Sequence, residues 1–233
     1  MGELKIIYQD DHYVAIDKPA GRLVHRTRIS EDTQFVLQQL RDQIGRRVYP
    51  VHRLDRPTSG VLVFGLDSDA ARRLVGLFEQ RLVSKRYLAV VRGFICESDR
   101  IDYPLQEEEG RPLQQAVTSY RRLATVELPF AVGRYSTARY SLVEVTPETG
   151  RMHQIRKHMK HIFHPIVGDT THGDGKHNQL FRDEFGVYRL LLMASDIGFI
   201  HPYSGTLLSL QSCPDSEITE LFDRLGWGSE CLD

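Results

Sequence analysis

The segment from Val51 to Gly60 combines a potentially reactive carboxylate with turn-forming residues, in the order Val51-His52-Arg53-Leu54-Asp55-Arg56-Pro57-Thr58-Ser59-Gly60. Asp55 lies between Arg53 and Arg56, and neighbouring cations favour the charged form of a carboxylate. Proline fixes one backbone dihedral and glycine permits a positive φ, so we expect a rigid loop. A rigid, ionised carboxylate at the mouth of a strand is suited to act as a nucleophile or a base. A surface loop with a local ion pair is the alternative, because structural ion pairs also perturb carboxylates.

The segment from Arg151 to Phe163 is predicted to be a helix with one apolar stripe and one basic face. The stripe contains Met152, Ile155, Met159, Ile162 and Phe163. The basic face contains His153, Lys157, Lys160 and His164. Arg156 lies at the edge of the stripe, where it could reach a partly buried partner. Positive charge without any acid from residue 151 to 164 is compatible with RNA phosphate contacts, and a solvated helix face is the alternative.

Six of the ten histidines fall between residues 153 and 177, which raises the question of a metal site. No Glu or Cys stands at a recognisable ligand spacing, and the neighbouring Arg and Lys residues would repel a cation. Thr58 and Ser59 lack the context of a hydrolytic nucleophile, and Gly173–Lys176 lacks the spacing of a phosphate-binding loop. We therefore expect neither a metal nor a cofactor.

The composition is that of an ordinary globular protein, with 233 residues, 41% hydrophobic and 26% charged. The net charge of −1 provides no global attraction to nucleic acid, so any RNA-binding surface must be local. Three widely spaced cysteines (96, 213 and 231) favour a reducing compartment. Neither a signal peptide nor a transmembrane run is recognisable, so we expect a cytoplasmic protein.

Hydrophobic periodicity and turn residues predict the elements that must position these groups. In the first part of the chain we expect strands at 4–8, 13–17, 61–66 and 84–93, and helices at 32–44 and 69–82, with Ser68 as the N-cap of the latter. Further along we expect strands at 116–120, 139–145, 190–193 and 207–210, and helices at 151–163, 179–184 and 214–225. Residues 106–114 and 170–178 are predicted to be polar loops. Strands on both sides of the helices indicate one α+β domain over residues 1–233, with a mixed, mostly antiparallel central sheet flanked by helices.

Four ordered motifs of the chain resemble those of RluA-type pseudouridine synthases. They are Lys18-Pro19-Ala20-Gly21…His25, His52–Gly60, Lys85-Arg86-Tyr87, and Thr149–His158 followed by His164-Pro165-Ile166…Gly168-Asp169. The resemblance implies the pseudouridine synthase fold, with an active-site cleft, and an enzyme that isomerises uridine in RNA to pseudouridine.

The resemblance also assigns roles to individual residues. Asp55 matches the catalytic aspartate, and Arg156 matches the arginine that pairs with it. Tyr87 matches the tyrosine that stacks on the target base, and Arg53 matches the arginine that enters the RNA where the uridine has left. The other residues that we expect to contact RNA are Lys18, Lys85, Arg86, Arg151, His153, Lys157 and Lys160.

A uridine inside an RNA stem must be flipped out before a side chain can reach its glycosidic bond. Asp55 would then either attack covalently or abstract a sugar proton, and the sequence leaves both routes open. The isomerisation needs no redox change and no energy input, which agrees with the expected lack of a cofactor.

A narrower resemblance, to the family members that act on tRNA, indicates the RNA substrate. It is carried by Arg56-Pro57, Arg121–Thr125 and Thr171–Asn178, and it implies a T-stem uridine of tRNA. We expect a monomer, although no motif of the chain bears on the oligomeric state. Ribosomal RNA is the alternative substrate, and a non-catalytic RNA-binding protein is the alternative class.

Two departures from the family pattern bear on this interpretation. Relatives often have Leu-Leu-Leu-His-Ala where this chain reads Leu190-Leu191-Leu192-Met193-Ala194, so a functional role at Met193 is not expected. The first motif begins at Lys18, so we expect no N-terminal S4 RNA-binding domain.

Overall fold

The computed structural model describes residues 2–24, 35–106 and 110–228. Contacts divide the chain into two compact units. The first unit contains Met1–Lys85 and Ala194–Cys213, and the second contains Arg86–Met193 and Pro214–Asp233. His25, residues 32–34 of the first predicted helix, residues 107–109 and Cys231 lie outside the described residues.

The described residues contain ten strands and five helices. The strands are β1 (Lys5–Gln9), β2 (Tyr13–Lys18), β3 (Tyr49–Pro50), β4 (Ser59–Gly65), β5 (Ser84–Arg92), β6 (Ser98–Asp102), β7 (Val117–Leu128), β8 (Ala138–Pro147), β9 (Leu192–Ile200) and β10 (Leu207–Gln211). The helices are α1 (Val36–Ile44), α2 (Ser68–Glu79), α3 (Gln154–His161), α4 (Gly175–Phe185) and α5 (Ser216–Arg224). None of the described helices is long and apolar enough to cross a membrane.

The sheet of the first unit has the order β1-β2-β4-β9, with β3 paired to β4 and β10 paired to β9. Its best-defined ladder joins β2 and β4 in antiparallel register from Tyr13 opposite Gly65 to Lys18 opposite Gly60. Every residue of β4 is buried, which suits its continuous apolar run. Helix α2 packs its apolar face, including Leu74, against this sheet. The ladder thereby places Lys18 beside the loop that precedes β4.

The strands of the second unit have the order β5-β8-β7-β6, and their pairings are antiparallel. β7 and β8 form a long hairpin that runs from Thr118 opposite Pro147 to Leu128 opposite Ala138. One face of β5 and β8 packs against α3, and the shared cluster includes Ala89, Val143 and Met159. A second cluster holds α4 and α5 through Phe181, Leu221 and Trp227, among others.

These elements confirm the predicted α+β class. Eight of the ten described strands overlap predicted strands, whereas the short strands β3 and β6 were not predicted. The first hairpin, β5 and α5 lie within two residues of their predicted bounds. The single-domain organisation over residues 1–233 stays a prediction.

Several boundaries differ from the predictions for identifiable physical reasons. Asp67 rather than Ser68 caps α2, because its carboxylate accepts the Ala70 N–H. β7 continues to Leu128, since pairing with β8 organises a stretch that is not strongly apolar. Residues 192–200 form the single strand β9, whereas the predicted strand covered only residues 190–193.

The predicted polar loop at 170–178 is also partly wrong. Helix α4 begins at Gly175, because the Asp174 carboxylate accepts the backbone N–H groups of Lys176 and His177. An aspartate at the N-cap position is a helix-start signal, and here it outweighs the polar composition of the stretch.

Candidate active site

The loop that carries Asp55 is held from inside by a buried lysine. The ammonium group of Lys18 donates hydrogen bonds to the carbonyl oxygens of Pro19 (3.0 Å), Arg56 (3.1 Å) and Thr58 (2.7 Å). The side chain of Lys18 is 0% exposed, so it is not available to contact RNA in this conformation. Its prediction as an RNA ligand is therefore not supported, and its contacts instead stabilise the loop that carries Asp55.

The turn around Asp55 is closed by its own backbone. The Thr58 N–H donates to the carbonyl oxygen of Asp55 at 3.1 Å, and the Arg56 Nε donates to Gly21 at 3.1 Å. Leu54 before this turn and Thr58 at its end are both buried. The predicted rigidity of the loop follows from these anchors, and Arg56, to which no role was assigned, ties the loop to its neighbour at Gly21.

His52 and Gly60 support the two ends of the loop. The Nε2 of His52 accepts the Val63 N–H at 3.0 Å, and its ring stacks on Phe78 with ring centroids 4.9 Å apart. Burial, followed by the charge of Lys85, lowers the pKa of His52 to about 3, so this imidazole is neutral near pH 7. Gly60 adopts φ 106°, and a Cβ there would lie 2.1 Å from the Ala194 carbonyl oxygen. Only glycine fits this close approach.

The charged side chains at the tip of the loop differ in exposure. Arg53 and Arg56 are exposed, whereas Asp55 is partly buried. An exposed Arg53 is compatible with the predicted insertion into RNA. Asp55, Arg53, Lys18 and Lys85 all belong to the first unit.

Strand β5 carries the third motif and places its residues on alternating faces. Tyr87 lies opposite Val145 of β8 and packs, partly buried, against the cluster that contains Ala89 and Ile155. Arg86 is exposed and lies 3.6 Å from the Glu144 carboxylate. Lys85 is partly buried, and this burial, with a smaller contribution from Arg81, lowers its pKa. Tyr87 and Ala89 therefore share the face of β5 that belongs to this cluster.

Helix α3 holds Arg156 in the interior of the second unit. The residue is 3% exposed. Its Nε donates to the Asp169 Oδ2 at 2.7 Å and its Nη2 donates to the Oδ1 at 2.8 Å. Two parallel bonds between a guanidinium and a carboxylate fix the plane and direction of both groups. The position at the edge of the stripe was predicted, but neither the burial of Arg156 nor this partner was.

The ends of α3 differ from the prediction. The helix runs only from Gln154 to His161, and His153 precedes it with a left-handed φ of 56°. Ile155 and Met159 are buried as expected, whereas Met152 is 36% exposed and Phe163 is 79% exposed. The apolar stripe is therefore shorter than predicted, because both of these residues lie outside the helical turns that face the core.

The predicted basic face is only partly open to solvent. Lys160 is exposed, whereas His153, Lys157 and His164 are partly buried, as is Arg151, which precedes the helix. The Lys157 Nζ donates to the Gln106 carbonyl oxygen at 2.8 Å, and the Arg151 Nε donates to the Gln115 carbonyl oxygen at 3.2 Å. These side chains still carry positive charge at the surface, because each contact engages a neutral carbonyl.

His153 makes a contact that the sequence did not suggest. Its Nδ1 lies 2.9 Å from the Nε2 of His172, so one ring donates a hydrogen bond and the other accepts it. Burial lowers the pKa of His172, which favours a neutral ring in this pair. The histidine-rich segment thus builds a hydrogen-bonded loop. Within the described residues, no group of three or more His, Cys, Asp or Glu side chains is arranged to hold a metal ion.

Comparisons with known proteins support the motif assignment. A family model described as RNA pseudouridylate synthase matches residues 12–161, a range that contains Asp55, Tyr87 and Arg156. The chain belongs to the RNA pseudouridylate synthase family. Members of this family are isomerases that convert uridine in RNA to pseudouridine, which is the activity that the motif order predicted.

Curated relatives match over nearly the full chain. The tRNA pseudouridine synthase C of Vibrio parahaemolyticus is 50% identical over 241 residues, covering 99% of this chain and 98% of that protein. The tRNA pseudouridine synthase C of Haemophilus influenzae is 48% identical over 235 residues, covering 96% and 98%.

A solved structure confirms the pseudouridine synthase fold. The human protein RNA pseudouridylate synthase domain containing 4 is 25% identical, with a TM-score of 0.74, and the match covers 95% of this chain and 93% of that one. The family acts on RNA, as the description of its model states. The pairing of Asp55 with Arg156 stays a prediction.

Sequence reasoning assigned no role to Asp169, which lies beyond the residues that the family model matches. A detectable signal was present in the sequence. Asp169 follows the helix break at His164-Pro165 and is the first acidic residue after Arg151. An isolated acid beside an acid-free basic segment is a natural partner for one of its arginines.

Proposed function

We propose that this chain isomerises a uridine in the T stem of tRNA to pseudouridine, with Asp55 as the catalytic residue. The observation that carries the choice of tRNA is the 50% identity, over 99% of the chain, to a protein named tRNA pseudouridine synthase C. The assignment of Asp55 rests on its match to the family's catalytic motif and on the rigid, lysine-anchored loop that presents it.

The proposed reaction begins when the target uridine leaves the RNA stack, at a cost of a few kcal/mol. Arg53, which is exposed, fills the vacated position in the RNA. Tyr87, whose ring is backed by an apolar cluster, provides a flat surface for the uracil. The cluster behind the ring limits its motion, so that the base is held in one orientation.

Asp55 then initiates the exchange of bonds at the sugar, either by covalent attack or by abstraction of a sugar proton. The bond between C1′ and N1 of the uracil breaks, the base turns, and a bond between C1′ and C5 forms. The hydrogen at C5 leaves as a proton and N1 gains a proton, so the product is an isomer of the substrate. Arg156 matches the arginine that pairs with the catalytic aspartate, and in that role it aims the Asp55 carboxylate at the sugar.

The proposed RNA contacts outside the catalytic centre are Lys85, Arg86, Arg151, His153, Lys157 and Lys160. Lys160 and Arg86 are exposed and so can reach phosphates directly. A monomeric state and a cytoplasmic location belong to the same proposal, and size-exclusion chromatography coupled to light scattering would test the former.

Tritium release tests the activity and the substrate together. Whole tRNA and ribosomal RNA transcripts, each labelled with tritium at C5 of uridine, are incubated separately with the purified chain. We expect release from tRNA, and mapping of pseudouridine should place the product in the T stem. Release only from ribosomal RNA would replace the substrate, and RNA binding without any release would indicate a non-catalytic RNA-binding protein.

A further inference from the structure

The carboxylate of Asp169 is itself held in a fixed position. Its Oδ1 accepts the backbone N–H groups of Thr171 and His172, both at 2.9 Å, in addition to the Nη2 of Arg156. Its Oδ2 accepts the Nε of Arg156. These hydrogen bonds lower the pKa of Asp169 against the opposing effect of burial, so the carboxylate is ionised near neutral pH.

The backbone around Asp169 is equally constrained. Its carbonyl oxygen accepts the Gly173 N–H at 3.1 Å and the Asn178 Nδ2 at 2.9 Å. A Cβ at Gly168 would lie 1.9 Å from the Arg189 carbonyl oxygen, and a Cβ at Gly173 would lie 2.1 Å from the Asp169 carbonyl oxygen. The backbone path around Asp169 therefore requires glycine at both of these positions.

We propose that Asp169 is a positioning residue for the isomerisation, which acts by fixing the guanidinium of Arg156 in the orientation that catalysis requires. This inference rests on the proposed role of Arg156. Asp169 engages the edge of the guanidinium formed by Nε and Nη2, and Nη1 lies outside this pair of bonds. Holding one edge in a rigid carboxylate determines the direction of the remaining nitrogen, because the group is planar.

Because the pair is buried, the orientation of Arg156 depends strongly on Asp169. The side chains of Arg156 and Asp169 are 4% and 1% exposed. An arginine in such a place cannot replace this partner with water, so removal of the carboxylate costs the guanidinium the contacts that fix its Nε and Nη2 edge. A guanidinium with one fixed edge is pre-organised, whereas one without it adopts several orientations and loses alignment.

Asp169→Asn separates orientation from folding. The carboxamide oxygen can still accept the N–H groups of Thr171 and His172, so the loop keeps its local hydrogen bonds. The amide nitrogen replaces Oδ2 and faces the Nε of Arg156, which is also a donor, so this bond is lost. The guanidinium then keeps only the bond from Nη2 and is no longer held at two points.

Asp174→Asn is a closely matched control. The Oδ1 of Asp174 accepts the backbone N–H groups of Lys176 and His177, and its Oδ2 accepts the Nη1 of Arg92 at 2.6 Å. The same substitution there removes a carboxylate–arginine bond and preserves the same kind of backbone cap. The two variants differ in which arginine is released.

The readouts are the single-turnover rate of tritium release from tRNA and the dissociation constant for the same RNA. For Asp169→Asn we expect a rate about 10²-fold below that of the unmodified chain, with RNA affinity unchanged. For Asp174→Asn we expect both values unchanged. Equal rates for the two variants, or a loss at Asp169 that appears only as weaker RNA binding, would overturn the inference.

A double-mutant cycle distinguishes positioning from a merely structural effect. If Asp169 acts through Arg156, Asp169→Asn causes no further loss of rate in a chain that already carries Arg156→Met. A full additional loss in that background would refute the mechanism. If the unmodified chain released no tritium, or Arg156→Met left its rate unchanged, the proposed function itself would be wrong, and these outcomes are distinct from a failure at Asp169 alone.

Discussion

The ammonium nitrogen of Lys18 lies 2.7 Å from the carbonyl oxygen of Thr58, three residues beyond Asp55. The same nitrogen reaches the Arg56 carbonyl oxygen, so a single buried cation engages the loop at two points after Asp55. These carbonyl groups point inward, and their hydrogen bonds to Lys18 replace the bonds that water would otherwise provide. The conformation of the Asp55 loop thus depends on a residue from the end of β2.

Lys18→Met should destabilise the chain by about 2–4 kcal/mol, because three carbonyl groups, including the buried one of Thr58, lose a charged donor. Urea unfolding at neutral pH measures this difference. Lys5→Met is the control, since the Lys5 side chain is 68% exposed and its ion pair with Asp17 spans 3.8 Å, so a change below about 1 kcal/mol is expected. Equal stability of the two variants would show that the Lys18 contacts do not hold the loop.

Asp55→Asn should abolish tritium release and leave RNA binding largely intact. The carboxamide has nearly the same shape and neither attacks the sugar nor removes a proton, whereas the loop contacts of Lys18 and Thr58 involve backbone atoms that remain. Filter binding and single-turnover assays on the same tRNA measure the two properties. Near-normal turnover by this variant would refute the central assignment.

The local pattern of the chain was sufficient to predict most elements of the fold. Strand β4 and helix α2 follow directly from a continuous apolar run and from apolar residues at helical spacing. The boundaries that were wrong depend on interactions between distant segments. β7 extends to Leu128 because β8 is its partner, and no local signal in residues 121–128 requires a strand.

For the candidate site, too, local patterns were readable from the sequence and contacts between distant segments were not. The motif order names Asp55, Tyr87 and Arg156 as site residues, which stay predictions, and helical spacing placed Arg156 at the edge of the apolar stripe. The roles of Lys18 and Asp169 were not recognised, because a charged residue in a polar loop is usually solvated. Their burial becomes apparent only when the tertiary fold encloses them among carbonyl groups or beside an arginine.

Gly60→Ala should destabilise the first unit strongly. The added Cβ would lie 2.1 Å from the Ala194 carbonyl oxygen, and the backbone there has φ 106°. We expect a loss of about 3 kcal/mol or more, since both a backbone clash and an unfavourable conformation arise. Gly21→Ala is the control, because Gly21 has φ 78° with nothing within 4 Å of its Cβ, so only about 1–2 kcal/mol of conformational strain is expected. A similar urea midpoint for both variants would argue against the close approach at Ala194.

His52 should make the stability of the chain depend on pH in mildly acidic solution. The Nε2 accepts the Val63 N–H, which requires a neutral ring, and burial lowers the pKa of His52 to about 3. In the unfolded chain the pKa is about 6.5, so between these values the unfolded state binds a proton that the folded state does not. Stability therefore falls as the pH decreases, by about 1.4 kcal/mol per pH unit from this residue well below pH 6.5.

The matching experiment compares the unmodified chain with His52→Gln by urea unfolding between pH 7.5 and pH 5.5. The glutamine amide oxygen can accept the Val63 N–H but does not titrate, so this variant should be less stable at pH 7.5 because it loses the stacking on Phe78. Its stability should then fall less steeply toward pH 5.5, and the difference between the two proteins should narrow. Other groups that titrate in this range contribute to both proteins alike and cancel in the comparison. Parallel pH profiles would show that the imidazole of His52 takes up its proton as readily in the folded chain as in the unfolded one.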